Sequence, residues 1–259
     1  MYFVSNRKET IMRGLKISIL ILISGMAVCG CKEQKQKAAQ EKGKTEKEVF
    51  MSVTLQWLGH ASFKITKDDV TIYIDPWKLA DSAHDATVVL VSHGHYDHYS
   101  ASDVTKVSGP QTKFIASADV VGQHGKGQPL QPGQSVSVDD ITITGVAAYN
   151  PAKQFHPKAN NWLGFVIEIG DSRIYYAGDT DMTEEMKVLK GIDIALLPVG
   201  GTYTMNAAEA AEAVEHFKPV KAVPYHWGDI VGGRKDADNF AKKAKCEVTV
   251  LTPGETLSL

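Results

Sequence analysis

Three imidazoles and one carboxylate fall within six consecutive positions, His93-Gly94-His95-Tyr96-Asp97-His98, directly after the apolar run at 86–92. A run of that length, rich in valine and bounded by polar residues, reads as a buried strand, so the cluster lies at a strand's exit. Side chains alternate along extended backbone and Gly94 permits a bend, so His93 and His95 can share one direction. Asp97 and His98, just past the bend, reach a second point a few ångströms away. Neutral imidazole and carboxylate are ligands for zinc, manganese or iron, and a cluster split in this way suits two ions better than one. The other reading, a polar loop that happens to be histidine-rich, needs three of the nine histidines to crowd into six positions by chance.

Two further groups share that placement. Asp179 follows the apolar segment 173–176 in Gly178-Asp179-Thr180, and its two oxygens suit it to bridge a pair of cations. His226 follows the short apolar segment 222–225. Each alone reads as well as a turn aspartate or a packed histidine. Together they put three groups at strand exits, where a β-rich fold would gather them on one rim.

The order of elements supports such a fold. Strands are expected at 53–57, 62–67, 71–74 and 86–92, a helix at 102–107 with Ser102 able to cap it, and strands at 113–116, 135–138 and 141–147, with a short helix near Asp119. The second half repeats the theme. Strands are expected at 163–169, 173–176, 194–198, 222–225, 247–251 and 255–258, and helices at 183–189, 206–217 and 236–244. Strand groups followed by strand–helix alternation, twice, predict an α/β fold of two sheets packed face to face with helices outside.

The N-terminus reads differently. Lys8, Arg13 and Lys16 precede an apolar stretch at 17–28 that is short for a bilayer span, and Cys29-Gly30-Cys31 follows. This is the pattern of a secretory signal, with an uncleaved membrane anchor as the alternative. Val28-Cys29-Gly30-Cys31 resembles a bacterial lipoprotein cleavage box with Cys31 as the acylated residue. Residues 1–30 are therefore expected to be a lipoprotein signal peptide, and the Lys/Glu/Gln-rich 31–50 a polar tether, or else a solvated helix. Residues 51–259 then form the functional domain, in the bacterial cell envelope and facing outside the cytoplasm. With Cys31 lipidated and Cys29 removed, Cys246 is the one thiol left, which excludes a disulfide framework. A formal charge of −2 and the lack of a basic stripe argue against nucleic acid as a partner.

His93-x-His95-x-Asp97-His98, Gly178-Asp179-Thr180 and His226 resemble the signature of the metallo-β-lactamase superfamily. Gly59-His60-Ala61-Ser62, Ile74-Asp75-Pro76, Leu197-Pro198-Val199-Gly200-Gly201 and Thr204-Met205 extend the likeness to its ascorbate-6-phosphate lactonase-like, metal-dependent hydrolase branch. The resemblance runs from about Leu55 to the C-terminus. It implies a four-layer αββα sandwich with a site for two divalent metal ions on its rim, zinc foremost and manganese or iron as alternatives. One ion would take His93 and His95, the other Asp97, His98 and His226, and Asp179 would bridge. The superfamily's further histidine after a mid-chain strand is missing, because that strand ends Val146-Ala147-Ala148-Tyr149-Asn150-Pro151. His156 is the favoured replacement, with Asn150 as a weaker oxygen ligand. His60 is expected to stand behind the ligands or face the substrate.

Such a centre ionises water and uses the resulting hydroxide to attack a small-molecule ester, lactone or phosphodiester, with Asp97 orienting it. No G-x-S-x-G nucleophile motif occurs. Trp77, Tyr96, Tyr203, Tyr225 and Trp227 are candidates to line a pocket, and Lys158 to meet an anionic group. The alternative from another class is a catalytically silent metal-binding envelope lipoprotein.

Overall fold

Valine and leucine dominate 86–92 because both faces of that segment are covered. In the computed structural model, which describes residues 52–259, it forms strand β4 (Ala86–Val91). Val88 and Leu90 point into the core between the two sheets, while Val89 and Val91 point into a second core beneath helices. A parallel strand buried on both faces has no polar face to show.

The other strands of the first sheet are β1 (Thr54–Gly59), β2 (Ser62–Lys67), β3 (Val70–Ile74), β5 (Ser108–Ala116) and β6 (Gln128–Pro129), with β14 (Thr256–Ser258) returning from the C-terminus. Their order is β14-β1-β2-β3-β4-β5-β6. β1 to β3 pair antiparallel and β3 to β6 parallel. The second sheet contains β7 (Ser135–Val138), β8 (Ile141–Ala147), β9 (Leu163–Ile169), β10 (Ser172–Tyr176), β11 (Ile194–Pro198), β12 (Lys221–Tyr225) and β13 (Glu247–Val248), in the order β13-β12-β11-β10-β9-β8-β7. It likewise passes from antiparallel to parallel, at β10. Helices α1 (Ala101–Val107) and α2 (Ala118–His124) cover the first sheet. α3 (Glu184–Lys187), α4 (Ala207–Phe217) and α5 (Arg234–Lys243) follow strands of the second, and Met186, Val214, Phe217 and Phe240 belong to the main core. This is the expected α/β sandwich.

Strand direction positions the site. β1, β3 and β4 run the same way, so their C-terminal ends emerge at one edge of the first sheet. β8, β10 and β12 do the same in the second. The two edges are stitched together: His226 N–H donates to His60 O at 3.1 Å, and Leu163 N–H to Ser92 O at 3.1 Å.

Several boundaries differ from expectation. α1 is capped by Ser100, not Ser102, because Ser100 stands three residues before the Asp103 N–H that its side chain accepts. β5 begins at Ser108, five residues early; Gly109 and Pro110 read as loop, but this end pairs with Ala86 across a register shift. The helix expected at 183–189 is a single turn, and β13 closes after two residues. The signal segment 1–30, Cys31 and the tether lie outside the described residues. Cys246 is a free thiol.

α4 begins with a complete capping box: Asn206 accepts from the Ala208 and Glu209 N–H groups, and Glu209 accepts from the Asn206 N–H. Asn206→Ala is expected to cost about 1 kcal/mol, read as a lowered midpoint in urea at unchanged slope.

Candidate metal centre

Six strand exits on the shared rim deliver polar side chains. His60 follows β1, Asp75 follows β3, and His93 to His98 follow β4. Asn150 and His156 follow β8, Asp179 follows β10, and His226 follows β12. Nearly all are buried, His98 and Asp75 completely. Single potential ligand atoms fall into three overlapping groups, each within 4.8 Å: His93, His95 and His156; His60, Asp97, His98 and His226; and His93, His98 and Asp179.

Asp179 stands between the imidazoles. Its Oδ1 lies 3.2 Å from His98 Nε2 and 3.2 Å from His226 Nε2, whereas Oδ2 lies 3.3 Å from His156 Nε2. His226 Nε2 and His98 Nε2 are also 4.0 and 3.8 Å from Asp97 Oδ2. The backbone at Asp179 is fixed by Gly178, which has φ +70°, and whose Cβ, if it had one, would collide with Leu163 O. Tyr225 OH donates to Gly178 O at 2.7 Å.

The ring nitrogens are sorted by what stands behind them. His98 donates Nδ1–H to Asp75 Oδ2 at 2.7 Å, His156 donates Nδ1–H to Asn150 Oδ1 at 2.7 Å, and His93 donates Nδ1–H to Ser92 Oγ at 2.9 Å. Each contact fixes the tautomer and turns an Nε2 lone pair inward. His93 Nε2 meets His95 Nδ1 at 3.1 Å. The atoms His98 Nε2, His156 Nε2, His226 Nε2 and Asp179 Oδ1 are buried without a properly aligned hydrogen-bond partner. An orphaned buried polar atom costs about 1–3 kcal/mol. Four of them converging, with imidazole and carboxylate as donors, fit a divalent cation.

Electrostatics agree. Burial opposes ionisation of Asp179, but His226, His98 and His156 override it and hold the carboxyl well below the usual range. Burial and the neighbouring His98 push His93 well down, so it stays neutral. Burial alone would lower His98 too, yet Asp179 and Asp75 lift it well above an ordinary imidazole. Asp179 and Asp75 flank this ring from either side, so the field at His98 Nε2 favours a cation there.

His60 donates Nε2–H to Asp97 Oδ2 at 3.0 Å, so it stands behind Asp97. Asn150 is the correction: its oxygen is occupied by His156, with the His156 N–H at 3.1 Å as well, so it orients that ring and does not face the other imidazoles. Among the aromatic candidates, Tyr96 and Tyr203 line the cleft beside these residues. Trp77 and Trp227 line a separate one with Trp57, and Tyr225 is buried. Lys158 lines neither, being paired with Glu185 at 2.8 Å.

Trp162 carries no signal in the sequence, and the roles of Asp75 and Asn150 are not those that sequence suggests. Asp75 stands behind His98, 23 residues away, and Asn150, six residues from His156, supports that ring instead of serving as a ligand itself. Trp162 donates Nε1–H to Asp119 at 2.9 Å and packs against His93 and His95 with ring centroids 4.8 Å away. No local pattern announces these roles.

Comparison with known proteins fits this geometry. The beta-lactamase superfamily domain matches residues 54–226. A metal-dependent hydrolase of Thermococcus onnurineus is 34% identical over 227 residues, spanning 80% of this chain and all of that protein. The solved structure of Igni18, a metallo hydrolase from Ignicoccus hospitalis, superposes with TM-score 0.67 at 26% identity over 80% of this chain and 98% of its own. The metallo-beta-lactamase fold protein YhfI of Bacillus subtilis gives 0.66 at 14% identity over 80% of this chain and 99% of its own, which speaks to fold alone. The chain belongs to the metallo-β-lactamase superfamily, in its branch of metal-dependent hydrolases. Its activity is therefore metal-dependent hydrolysis.

Asn150→Ala removes the acceptor behind His156 Nδ1–H without touching the junction of the two sheets. It is expected to lower metal affinity about 10–100-fold, measured by competition with a chromogenic chelator while circular dichroism stays native.

Proposed function

We propose that this hydrolase holds two divalent metal ions, zinc foremost, and cleaves a small-molecule ester, lactone or phosphodiester. The observation that carries the reading is the division of Asp179, with one oxygen turned to His98 and His226 and the other to His156. His93, His95 and His156 would hold one ion, Asp97, His98 and His226 the other, and Asp179 both. When bound, such a pair supplies a nucleophile from water at neutral pH and Lewis acidity toward the attacked oxygen.

The chain's own residues supply the rest. Asp97, fixed from behind by His60, faces the cleft and is placed to orient the attacking water. Ser92, Asp75 and Asn150 hold three rings in the tautomer that ligation requires. Trp162 shields the three-imidazole half from solvent. The water oxygen bonds to the carbonyl carbon or phosphorus, and the alkoxy group leaves with its electron pair and takes a proton.

The signal-like segment and the Cys29-Gly30-Cys31 box support a second part of the proposal, that Cys31 carries the lipid and anchors the domain at the envelope, outside the cytoplasm.

Metal analysis by plasma mass spectrometry is expected to find about two ions per chain, fewer in His156→Ala, and little metal in Asp179→Ala or His98→Ala. Turnover of a lactone and phosphodiester panel should fall by about 100-fold or more in the last two. Unchanged stoichiometry in both would remove the assignment. For the anchor, an alkyne fatty acid fed to a bacterial host should label the wild type but not Cys31→Ser, which should leave the membrane fraction.

A further inference from the structure

The cleft over the metal residues has a polar floor and apolar walls. Tyr96, Phe155, Tyr203 and Ile230 form the walls, and no lysine or arginine lines it. Its volume is about 260 Å³, just under the roughly 300–1,000 Å³ common for drug-sized ligands. Phe155 and Tyr203 meet edge to face at 4.8 Å, a corner of two rings that matches another flat ring. Tyr96 is 69% and Phe155 44% exposed, so substantial aromatic surface stands open beside the ligand-bearing floor. Aromatic surface left in water next to convergent polar groups marks ligand contact.

The nearby cations are already matched. Lys153 Nζ donates to Asp181 Oδ1 at 2.5 Å and to Thr204 O at 2.7 Å. Lys78 pairs with Asp229 at 2.8 Å, and Lys158 with Glu185 at 2.8 Å. A substrate carrying a phosphate or carboxylate away from its reacting bond would lose hydration in this cleft and meet no ammonium or guanidinium in return. An uncharged aromatic group gains burial without that loss.

We propose that the cleft selects small, uncharged aryl esters and benzo-fused lactones, and that Phe155 and Tyr203 are its specificity-determining residues. The proposal rests on the hydrolase reading above and narrows its substrate class. In the reaction, the water oxygen bonds to the acyl carbon and the acyl C–O bond breaks. Its electron pair leaves on the phenolic oxygen, which takes one water proton, and the second proton is released as the acid ionises.

The test uses purified, metal-loaded protein. Methyl 4-acetoxybenzoate and 4-acetoxybenzoate share one reacting bond and differ in a remote negative charge. The neutral ester is expected to show at least a tenfold higher kcat/KM. In Phe155→Ala and Tyr203→Ala, the preference for phenyl acetate over ethyl acetate should drop at least fivefold. A readout without turnover accompanies these: phenylacetone, the ketone counterpart of phenyl acetate, should bind by ligand-observed NMR and weaken at least fivefold in both variants. Binding of phenylacetone with that loss, but cleavage of no ester, sinks the hydrolase reading and upholds the cleft's selectivity. Equal or better use of the anionic ester, cleavage of bis(4-nitrophenyl) phosphate with phenyl acetate untouched, or no phenylacetone binding overturns the inference.

Discussion

Asp75 is fully buried, and four donors from both halves of the molecule converge on its carboxyl. Ser92 gives its N–H at 2.7 Å and its hydroxyl at 2.6 Å, His98 its Nδ1–H at 2.7 Å, and Tyr176 its phenol at 2.5 Å. Asp75 and Ser92 belong to the first sheet and Tyr176 to the second, so one side chain ties the sheets at the point where the ligand-bearing turns leave them. Burial, and then the adjacent Asp75, hold the Tyr176 phenol well above its ordinary pKa, which keeps it a donor. Ser92 passes the constraint on to His93, and His98 faces Asp179 with its other nitrogen. The orientation of two rings thus depends on a residue that touches no substrate.

Three of the rim residues themselves hold unfavourable backbone. His60, Asp75 and His226 have φ values of +45°, +44° and +61°, a region that non-glycine residues avoid. Such positions cost about 1–3 kcal/mol each and persist only where their surroundings enforce them. The enforcement is visible. The His60 carbonyl accepts from both Trp57 Nε1 and His226 N–H, so two strained turns from opposite sheets brace each other. A chain relaxed at these residues would direct the imidazoles elsewhere.

What could be read in the sequence was local, and what could not was long-range. β4, β10 and β12 were recognisable because apolar runs end abruptly in His93, Asp179 and His226, and α4 because Asn206 and Glu209 stand at box spacing. His156 stood out as the histidine next available after β8, and the structure groups it with His93 and His95. Asp75 looked like the end of a strand, since its link to Tyr176 spans 101 positions. Asn150 ranks behind His156 as a candidate ligand, because sequence gives composition and not direction. Its oxygen reaches the ring that sequence had set beside it as an alternative. Phe155 and Ile230 carried no signal at all, since the cleft exists only after loops from distant strands meet.

The pairing of β1 has a mechanical meaning. β1 lies between β2 and β14, with Thr54 opposite both Thr66 and Ser258, and the Leu259 N–H donates to Val53 O at 2.8 Å. Tension applied to the start of the domain therefore acts along an inner strand and loads two ladders in shear, so that many bonds must yield at once instead of opening one by one like a zip. The ligand-bearing rim begins at the far end of that same strand, six residues downstream of Thr54 at His60, so the ladders that carry the load also hold the first turn of the site in place.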